Sequence, residues 1–260
     1  MKALVTGATS GIGQSIARKL SERGWELILT GRNEDVLRSM QDELGSNTEI
    51  IAAELSDKNE VLRLYDFCRS RNIDMLVNNA GYGLFGRFDE IDLDNELDMI
   101  SVNIIALHML TKLFLRDFKK RNSGIILNVA SVAGFLTGPL LSSYYASKNY
   151  VLRLSLGIYE ELRRDRSNVS ITVLCPGPVD TNFNSRAGVN FSAKPVTADY
   201  VAECALKAAL SGRLFAVPGL AIKAASVAQR IVPHKLMSAI VYNIQQAKKT
   251  SDKKGSALRK

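Results

Sequence analysis

The sequence predicts an α/β fold in which a doubly wound, seven-stranded parallel sheet carries helices on both faces. Short apolar runs alternate with amphipathic segments from residue 2 to residue 217, a pattern typical of parallel sheets. A glycine-rich turn joins the first apolar run to the first amphipathic segment. Of the 260 residues, 46% are hydrophobic, which is enough for a large core. No linker-like break occurs before residue 212, so we expect one main domain over residues 1–218.

Strands are expected at the apolar runs and helices at the periodic segments between them. The expected strands are Lys2–Thr6, Leu27–Thr30, Ile50–Ala53, Met75–Asn78, Ile125–Val129, Val169–Leu174 and Leu214–Val217. The expected helices are Ile12–Arg23, Asp35–Leu44 with Asn33 as its N-cap, Asn59–Arg71, Asp92–Lys120, Tyr145–Arg164 and Ala198–Ser211. The helices at 92–120 and 145–164 are apolar on more than one face, which predicts that they also form a dimer interface.

The glycine-rich turn predicts a dinucleotide site after the first strand. Gly7, Gly11 and Gly13 are spaced G-x-x-x-G-x-G and a helix follows at once. Residues without Cβ let the backbone approach a pyrophosphate, and the N-terminus of the helix offers unpaired N–H groups and a positive dipole end.

A second set of candidate residues lies between Ser131 and Lys148. Tyr144 and Lys148 are four apart and share one helical face, so the ammonium of Lys148 is expected to lower the pKa of the phenol. This makes Tyr144 a candidate general acid/base. Ser131 follows an apolar strand and lies at its carboxyl end, where open α/β sheets bind ligands. Tyr145 is one position out of register with Lys148 and is interpreted as structural.

These residues resemble the motifs of the short-chain dehydrogenase/reductase family. The matching segments are Thr6 to Gly13 (TGATSGIG), Asn78-Asn79-Ala80-Gly81, Asn103, Ser131 with Tyr144-x-x-x-Lys148, and Pro176-Gly177-Pro178 with Thr181. They occur in the family's order over residues 2 to about 181. The resemblance implies a Rossmann-like fold and hydride transfer between a nicotinamide ring and a carbonyl or alcohol carbon.

The resemblance also implies a role for each matching residue. Ser131 would polarise the substrate oxygen, Tyr144 would deliver the proton, and Lys148 would bind the nicotinamide ribose. Asn103 would hold a water that leads to the lysine, and its position inside a helix predicts a local distortion. The implied cofactor-binding residues are Gly7, Thr9, Ser10, Gly11, Ile12, Gly13, Arg32, Glu54, Leu55, Asn79, Ala80, Gly81, Tyr144, Lys148, Pro176, Gly177, Val179 and Thr181. Glu54 stands near the position where relatives usually have Asp.

The end of the second strand predicts NADPH rather than NADH. Gly31 occupies the place where NAD enzymes usually carry an acid for the ribose 2′-hydroxyl. Arg32 follows it and offers a guanidinium suited to a 2′-phosphate.

The substrate is less defined than the cofactor. The segments 135–141 and 183–191 are mostly apolar, which favours a hydrophobic ketone or alcohol. One alternative is a 3-oxoacyl thioester reductase, for which Arg87 and Arg186 could meet an acidic carrier. Another is an NADPH-binding sensor without turnover, against which the complete Ser131, Tyr144 and Lys148 set argues.

The basic charge of the chain is confined to its C-terminal segment. Residues 212–260 hold 10 Lys+Arg and 1 Asp+Glu, whereas residues 1–211 hold 24 and 25. Residues 219–247 are expected to form two amphipathic helices, one with Leu220, Ala224, Val227, Ala228 and Ile231 on one face and one that begins at Pro233. Residues 248–260 are expected to be a basic, disordered tail. The helices could cap the cleft, pack on a partner subunit or contact a membrane. Nucleic acid is a poorer candidate, because no recognition motif accompanies the charge.

Composition excludes some function classes. The three cysteines are widely spaced and the two histidines form no cluster with metal-ligand spacing, so neither a disulfide framework nor a metal site is expected. The first strand begins at Lys2, which leaves no room for a signal peptide, and no run of about eighteen uncharged apolar residues occurs. We therefore expect a cytoplasmic protein.

Overall fold

The computed structural model describes residues 1–181, 196–219 and 232–257, the last eleven of them by backbone alone. The strands are β1 (Lys2–Thr6), β2 (Glu26–Gly31), β3 (Thr48–Ala52), β4 (Met75–Asn78), β5 (Gly124–Val129), β6 (Val169–Leu174), β7 (Val179–Asp180), β8 (Val196–Thr197) and β9 (Phe215–Ala216). The helices are α1 (Gly11–Glu22), α2 (Glu34–Leu44), α3 (Lys58–Arg69), α4 (Leu93–Ile100), α5 (Leu107–Arg121), α6 (Ser142–Arg164), α7 (Ala198–Leu210) and α8 (His234–Ala257). A 3₁₀ turn covers Val132–Phe135.

Seven strands form one parallel sheet in the order β3-β2-β1-β4-β5-β6-β9. The chain winds outward from β1 in one direction and from β4 in the other, so the strand order reverses between these two strands. Ligands of open α/β sheets bind at such a reversal, outside the carboxyl ends of the strands. The predicted fold class and the seven strands are confirmed. The separate two-residue ladder of β7 with β8 was not predicted.

Helices cover both faces of the sheet because the strands are apolar on both. On one face, α1 and α7 pack over the sheet in a core that includes Ile16 and Leu206. On the other face, α3, α5 and α6 form a second core around Phe114 and Phe118. The register decides which side chain faces which layer: Val5 of β1 belongs to the first core, and its neighbour Leu4 belongs to the second.

The long helix predicted over 92–120 is present but is interrupted. Residues Ser101–Ala106 form a π-helical turn between α4 and α5, and this turn contains Asn103. The distortion predicted from an asparagine inside this helix is therefore confirmed. Single π turns inside α-helices are frequent at functional sites.

The segment Leu93–Arg121 is also long and apolar enough to cross a membrane, by length and composition alone. Core helices of globular domains meet the same criterion. Here Leu110, Phe114 and Phe118 are buried against the sheet, which favours the interpretation as a core helix.

The C-terminal helix α8 begins directly after Pro233, as predicted, and its backbone is helical through Ala257. It thus continues past Lys248, where a disordered tail was expected from the sequence. A helix that has already formed gains one hydrogen bond for each further residue, and lysines are good helix formers, so continuation is physically reasonable. The first predicted C-terminal helix, with Leu220 and Ile231, falls mainly on residues 220–231 and lies outside the described residues.

Candidate active site

A cleft of about 510 Å³ opens at the carboxyl ends of β1, β4, β5 and β6. Most of the predicted site residues line it: Gly7, Thr9, Ser10, Gly11, Ile12, Arg32, Glu54, Leu55, Asn79, Ala80, Gly81, Ser131, Tyr144, Lys148, Pro176, Gly177, Val179 and Thr181. Gly13 and Asn103 lie behind this wall, where Gly13 packs closely on Asn79 and Asn103 contacts Tyr82. The cleft therefore brings the predicted catalytic and cofactor-binding residues together.

The glycine-rich turn fits a pyrophosphate. Gly7 and Gly11 have φ of +63° and +56°, and a Cβ at Gly7 would lie 2.8 Å from Cα of Ala80. Ser10, the N-cap of α1, makes no side-chain capping bond, and the first turn of α1 carries no acidic residue. The helix therefore points uncapped N–H groups and an uncompensated positive end at the cleft.

Hydrogen bonds lock the turn to the segment that follows β4. The amide of Asn79 donates to the carbonyl oxygens of Thr6 (3.0 Å) and Gly7 (3.1 Å). In return, Thr6 Oγ1 accepts the backbone N–H groups of Asn79 and Ala80, both at 3.0 Å. This positioning role of Thr6 was not predicted.

Asn78 links β4 to the elements beside it. Its amide nitrogen lies 2.9 Å from Thr111 Oγ1 and 2.9 Å from Asn128 Oδ1. These bonds connect β4 to α5 and β5 behind the cleft.

At the carboxyl end of β2, the cation Arg32 follows Gly31 at the rim of the cleft. Arg32 is largely exposed and its guanidinium lies 3.7 Å from Glu54 Oε2. A Cβ at Gly31 would lie 2.7 Å from Thr9 Cγ2, so an acid at this position would displace Thr9. Arg32 thus places a cation at the rim of the cleft, with Glu54 as its carboxylate neighbour.

Ser131, Tyr144 and Lys148 meet in the middle of the cleft. Ser131 caps the 3₁₀ turn, with Oγ accepting the N–H of Ala133 at 3.1 Å, and also hydrogen-bonds Tyr144. The Lys148 ammonium donates to the carbonyl oxygen of Val129 at 3.0 Å and lies 5.9 Å from the ring centroid of Tyr144. The three side chains thus form the constellation that their spacing predicted.

The electrostatics of this group differ from the expectation. Burial raises the pKa of Tyr144 well above its usual range, and the hydrogen bond with Ser131 opposes this only in part. Burial also lowers the pKa of Lys148 to about 8. Lys148 was expected to lower the pKa of Tyr144, but its ammonium hydrogen-bonds Val129 and is itself destabilised. The phenol is therefore protonated at neutral pH.

Asn103 connects the cleft wall to α6. Its Oδ1 accepts the Tyr82 N–H at 3.0 Å, while Nδ2 donates to the Tyr82 carbonyl (2.9 Å) and to Ser147 Oγ (3.0 Å). Ser147 in turn donates to the carbonyl of Tyr144 at 2.7 Å. These hydrogen bonds of Asn103 hold the loop after β4 against α6, the helix that carries Tyr144 and Lys148.

The substrate end of the cleft includes residues that were not predicted. Tyr145, interpreted from the sequence as structural, lines the cleft and accepts a hydrogen bond from Gln245 Nε2 at 2.9 Å. Gln245 and Ile244 belong to α8, which also contacts the segment before α6 through Ser238 and Thr137 (2.8 Å). A polar residue on the apolar face of an amphipathic helix was the signal for Gln245. Residues 183–191, also expected near the substrate, lie outside the described residues.

Known proteins are similar to this chain in sequence and in fold. The model of the short chain dehydrogenase family matches residues 1–190. The chain belongs to this family. It is therefore an NAD(P)-dependent oxidoreductase with a Rossmann-like fold, as the sequence motifs indicated.

Three proteins illustrate the similarity. A very-long-chain 3-oxoacyl-CoA reductase of Anas platyrhynchos is 33% identical over 211 residues, which cover 76% of this chain and 66% of the relative. A short-chain dehydrogenase of Sphingobium yanoikuyae in complex with NADPH superimposes with a TM-score of 0.80 and 28% identity, covering 88% of this chain and 92% of that one. A family member of Burkholderia phymatum in complex with NAD gives 0.79 and 26%, with coverages of 87% and 91%.

Proposed function

We propose that this protein is an NADPH-dependent reductase of hydrophobic carbonyl compounds. The observation that carries the proposal is the geometry around Tyr144, whose phenol hydrogen-bonds Ser131 in a largely apolar cleft and lies beside Lys148. A protonated phenol is the state that a carbonyl reduction needs, because negative charge develops on the substrate oxygen and must be neutralised.

Each side chain has a task that follows from its contacts. Bound NADPH would supply hydride to the carbonyl carbon. Tyr144 donates its phenolic proton to the carbonyl oxygen, and Ser131 holds that oxygen through its hydroxyl. Lys148 places its ammonium at the floor of the cleft, close to Gly81, where it can bind the ribose hydroxyls. Asn103 keeps the loop at Tyr82 and the Tyr144 helix at a fixed separation.

The preference for NADPH rests on the cation beside Gly31. Arg32 is exposed at the rim of the cleft, and no side chain at position 31 can provide the carboxylate that selects NAD. The NADPH complex of the Sphingobium relative is consistent with this choice, whereas the Burkholderia relative holds NAD.

A hydrophobic substrate is supported by the walls beyond Tyr144. Leu141, Val132 and Ile244 line this part of the cleft, and Gln245 and Tyr145 supply its polar groups. A long acyl chain would fit such walls, so reduction of a 3-oxoacyl thioester is the second candidate, favoured by the Anas relative. For this role Arg87 is a weak candidate, because its guanidinium already pairs with Asp89 and Glu90. The other candidate, Arg186, lies outside the described residues.

We also propose that the protein is a homodimer and is located in the cytoplasm. A homodimer would cover the solvent-facing sides of α5 and α6, where exposed Tyr150 bonds His108 at 2.7 Å. A cytoplasmic location agrees with Cys68, Cys175 and Cys204, which are free thiols.

The test is NADPH oxidation against a panel of hydrophobic ketones, aldehydes and 3-oxoacyl thioesters. We expect turnover in the wild type and a loss of at least about 10²-fold in kcat for Tyr144→Phe. Tyr159→Phe, on the same helix but outside the cleft, is the matched control and should keep wild-type kcat. No turnover on the whole panel, with NADPH still bound, would instead indicate a sensor. Tighter binding of NADH than of NADPH would refute the cofactor preference.

A further inference from the structure

Helix α8 has two apolar sides, and among the residues that the structure describes only one of them is fully buried against the body of the protein. Val241 and Gln245 are buried, with exposures of 6% and 1%. Leu236, Ile240 and Ile244 are four residues apart, so they align along the neighbouring side of the helix. Their exposures are 56%, 43% and 54%. These three residues form what we call the α8 stripe, a row of large apolar side chains in contact with solvent.

The stripe belongs to the part of the chain that carries the positive charge. Residues 212–260 hold 10 Lys+Arg against 1 Asp+Glu. Six of these cations, with the single acid, occur in residues 248–260, directly after the stripe in the sequence. The rest of the chain holds 24 Lys+Arg and 25 Asp+Glu, so it offers no net attraction to an anionic surface.

We propose that the α8 stripe and the basic segment 248–260 dock the protein on the surface of an anionic lipid bilayer. Helices that lie in a membrane interface combine an apolar side with a basic region, and the cations add to binding when the lipids are anionic. Ile244 lies both on the stripe and in the lining of the cleft. Docking therefore brings the substrate end of the cleft against the lipid, where apolar substrates concentrate.

The exposed apolar residues of α4 are less suited to contact an anionic bilayer. Leu93 and Leu97 on α4 are also exposed, but so are the carboxylates of Asp92 and Asp94 beside them, which anionic lipid would repel. A second copy of the chain fits the α8 stripe poorly as well. Contact between two copies would bring two C-terminal segments of like charge towards each other, and like charges oppose such a contact.

The test is co-sedimentation of the full-length protein with two kinds of vesicle, phosphatidylcholine alone and phosphatidylcholine mixed with phosphatidylglycerol, at low and at high salt. Ile240→Glu puts a charge in the stripe. Leu62→Glu on α3 is the matched control, because Leu62 and Ile240 are both 43% exposed. A third variant lacks residues 248–260. Analytical ultracentrifugation of each variant without lipid reports its oligomeric state.

We expect the wild type and Leu62→Glu to bind the anionic vesicles at low salt only. Ile240→Glu should bind at least about tenfold more weakly, because it removes an apolar anchor and adds a repelled charge. Deletion of residues 248–260 should weaken binding by about a hundredfold or more, since each cation near the surface contributes a factor of about five. Absence of binding to anionic vesicles, equal binding to neutral ones, or equal loss in Leu62→Glu would overturn the proposal. The proposal would also be overturned if the wild type bound no vesicles and Ile240→Glu changed the protein from dimer to monomer. That result would make the stripe a subunit interface.

Discussion

Lys148 is buried at a cost to the stability of the fold, and this cost can be measured. Its side chain makes no salt bridge with any residue that the structure describes, and burial lowers its pKa from 10.5 to about 8. A fall of this size corresponds to ~3 kcal/mol at neutral pH. Lys148→Met keeps the length of the side chain and removes the charge. It loses the hydrogen bond to Val129, worth ~1 kcal/mol, so the variant should be ~2 kcal/mol more stable than the wild type at pH 7.

The pH dependence of this difference has a definite sign. Below the folded-state pKa of about 8, lysine is charged in the folded and unfolded states, and the full penalty applies. Between about 8 and 10.5 the folded state releases its proton first, so the wild type gains stability relative to the variant as pH rises. From pH 7 to about pH 9.5 the advantage of Lys148→Met should fall by roughly 2 kcal/mol.

Urea unfolding can follow this change through Trp25, the single tryptophan, which is buried. Loss of NADPH turnover in the folded variant would show that the charge is kept for function. A variant that is less stable than the wild type at pH 7, or a stability difference that does not change with pH, would refute the argument. Titration of Tyr144 does not alter the sign of this pH dependence, because the wild type and the Lys148→Met variant both retain Tyr144.

Three further predictions concern the cofactor end and the loop behind it. Glu54→Gln removes the carboxylate that competes for Arg32 and should tighten NADPH binding about threefold or more in a fluorescence titration, with NADH little changed. Gly11→Ala should raise the Kd for NADPH at least about tenfold, because the added Cβ would lie 2.9 Å from Cγ2 of Thr181 and would fill space between two walls of the cleft. Gly24→Ala, also at positive φ but in open space, should lose similar stability (~1 kcal/mol) and keep NADPH binding. Asn103→Ala leaves partly buried backbone groups of Tyr82 without their partner and should lower the free energy of unfolding by ~1–2 kcal/mol, while kcat falls more than NADPH affinity. An Asn103→Ala protein with wild-type stability and kcat would contradict this positioning role.

Local spacing was enough to predict the parts of the site that lie on single elements. Tyr144 and Lys148 share a helical face because they are four residues apart, and the glycine-rich turn is recognisable because a helix follows it. A local distortion of the helix could be anticipated from Asn103, whose amide is poorly suited to a regular helix interior, although its π-helical form could not. In each case the informative residues are close together in sequence.

The parts that depend on tertiary packing could not be predicted in this way. Gln245 reaches Tyr145 across 100 residues of sequence, and no local pattern specifies that contact. The pKa of Tyr144 depends on how far the folded chain removes the phenol from water, which periodicity does not show. Strands β7 and β8 are only two residues long, too short for an alternating pattern to be visible.

The cleft has walls of two different origins. The glycine-rich turn and the Ser131, Tyr144 and Lys148 group lie within residues 1–190, the part matched by the family model, whereas Ile244 and Gln245 come from α8, beyond it. Substitutions in α8 can therefore alter the substrate end of the cleft while the glycine-rich turn and the Ser131, Tyr144 and Lys148 group keep their sequence. For protein engineering, α8 is accordingly a place where the substrate range can be changed without altering residues 1–190.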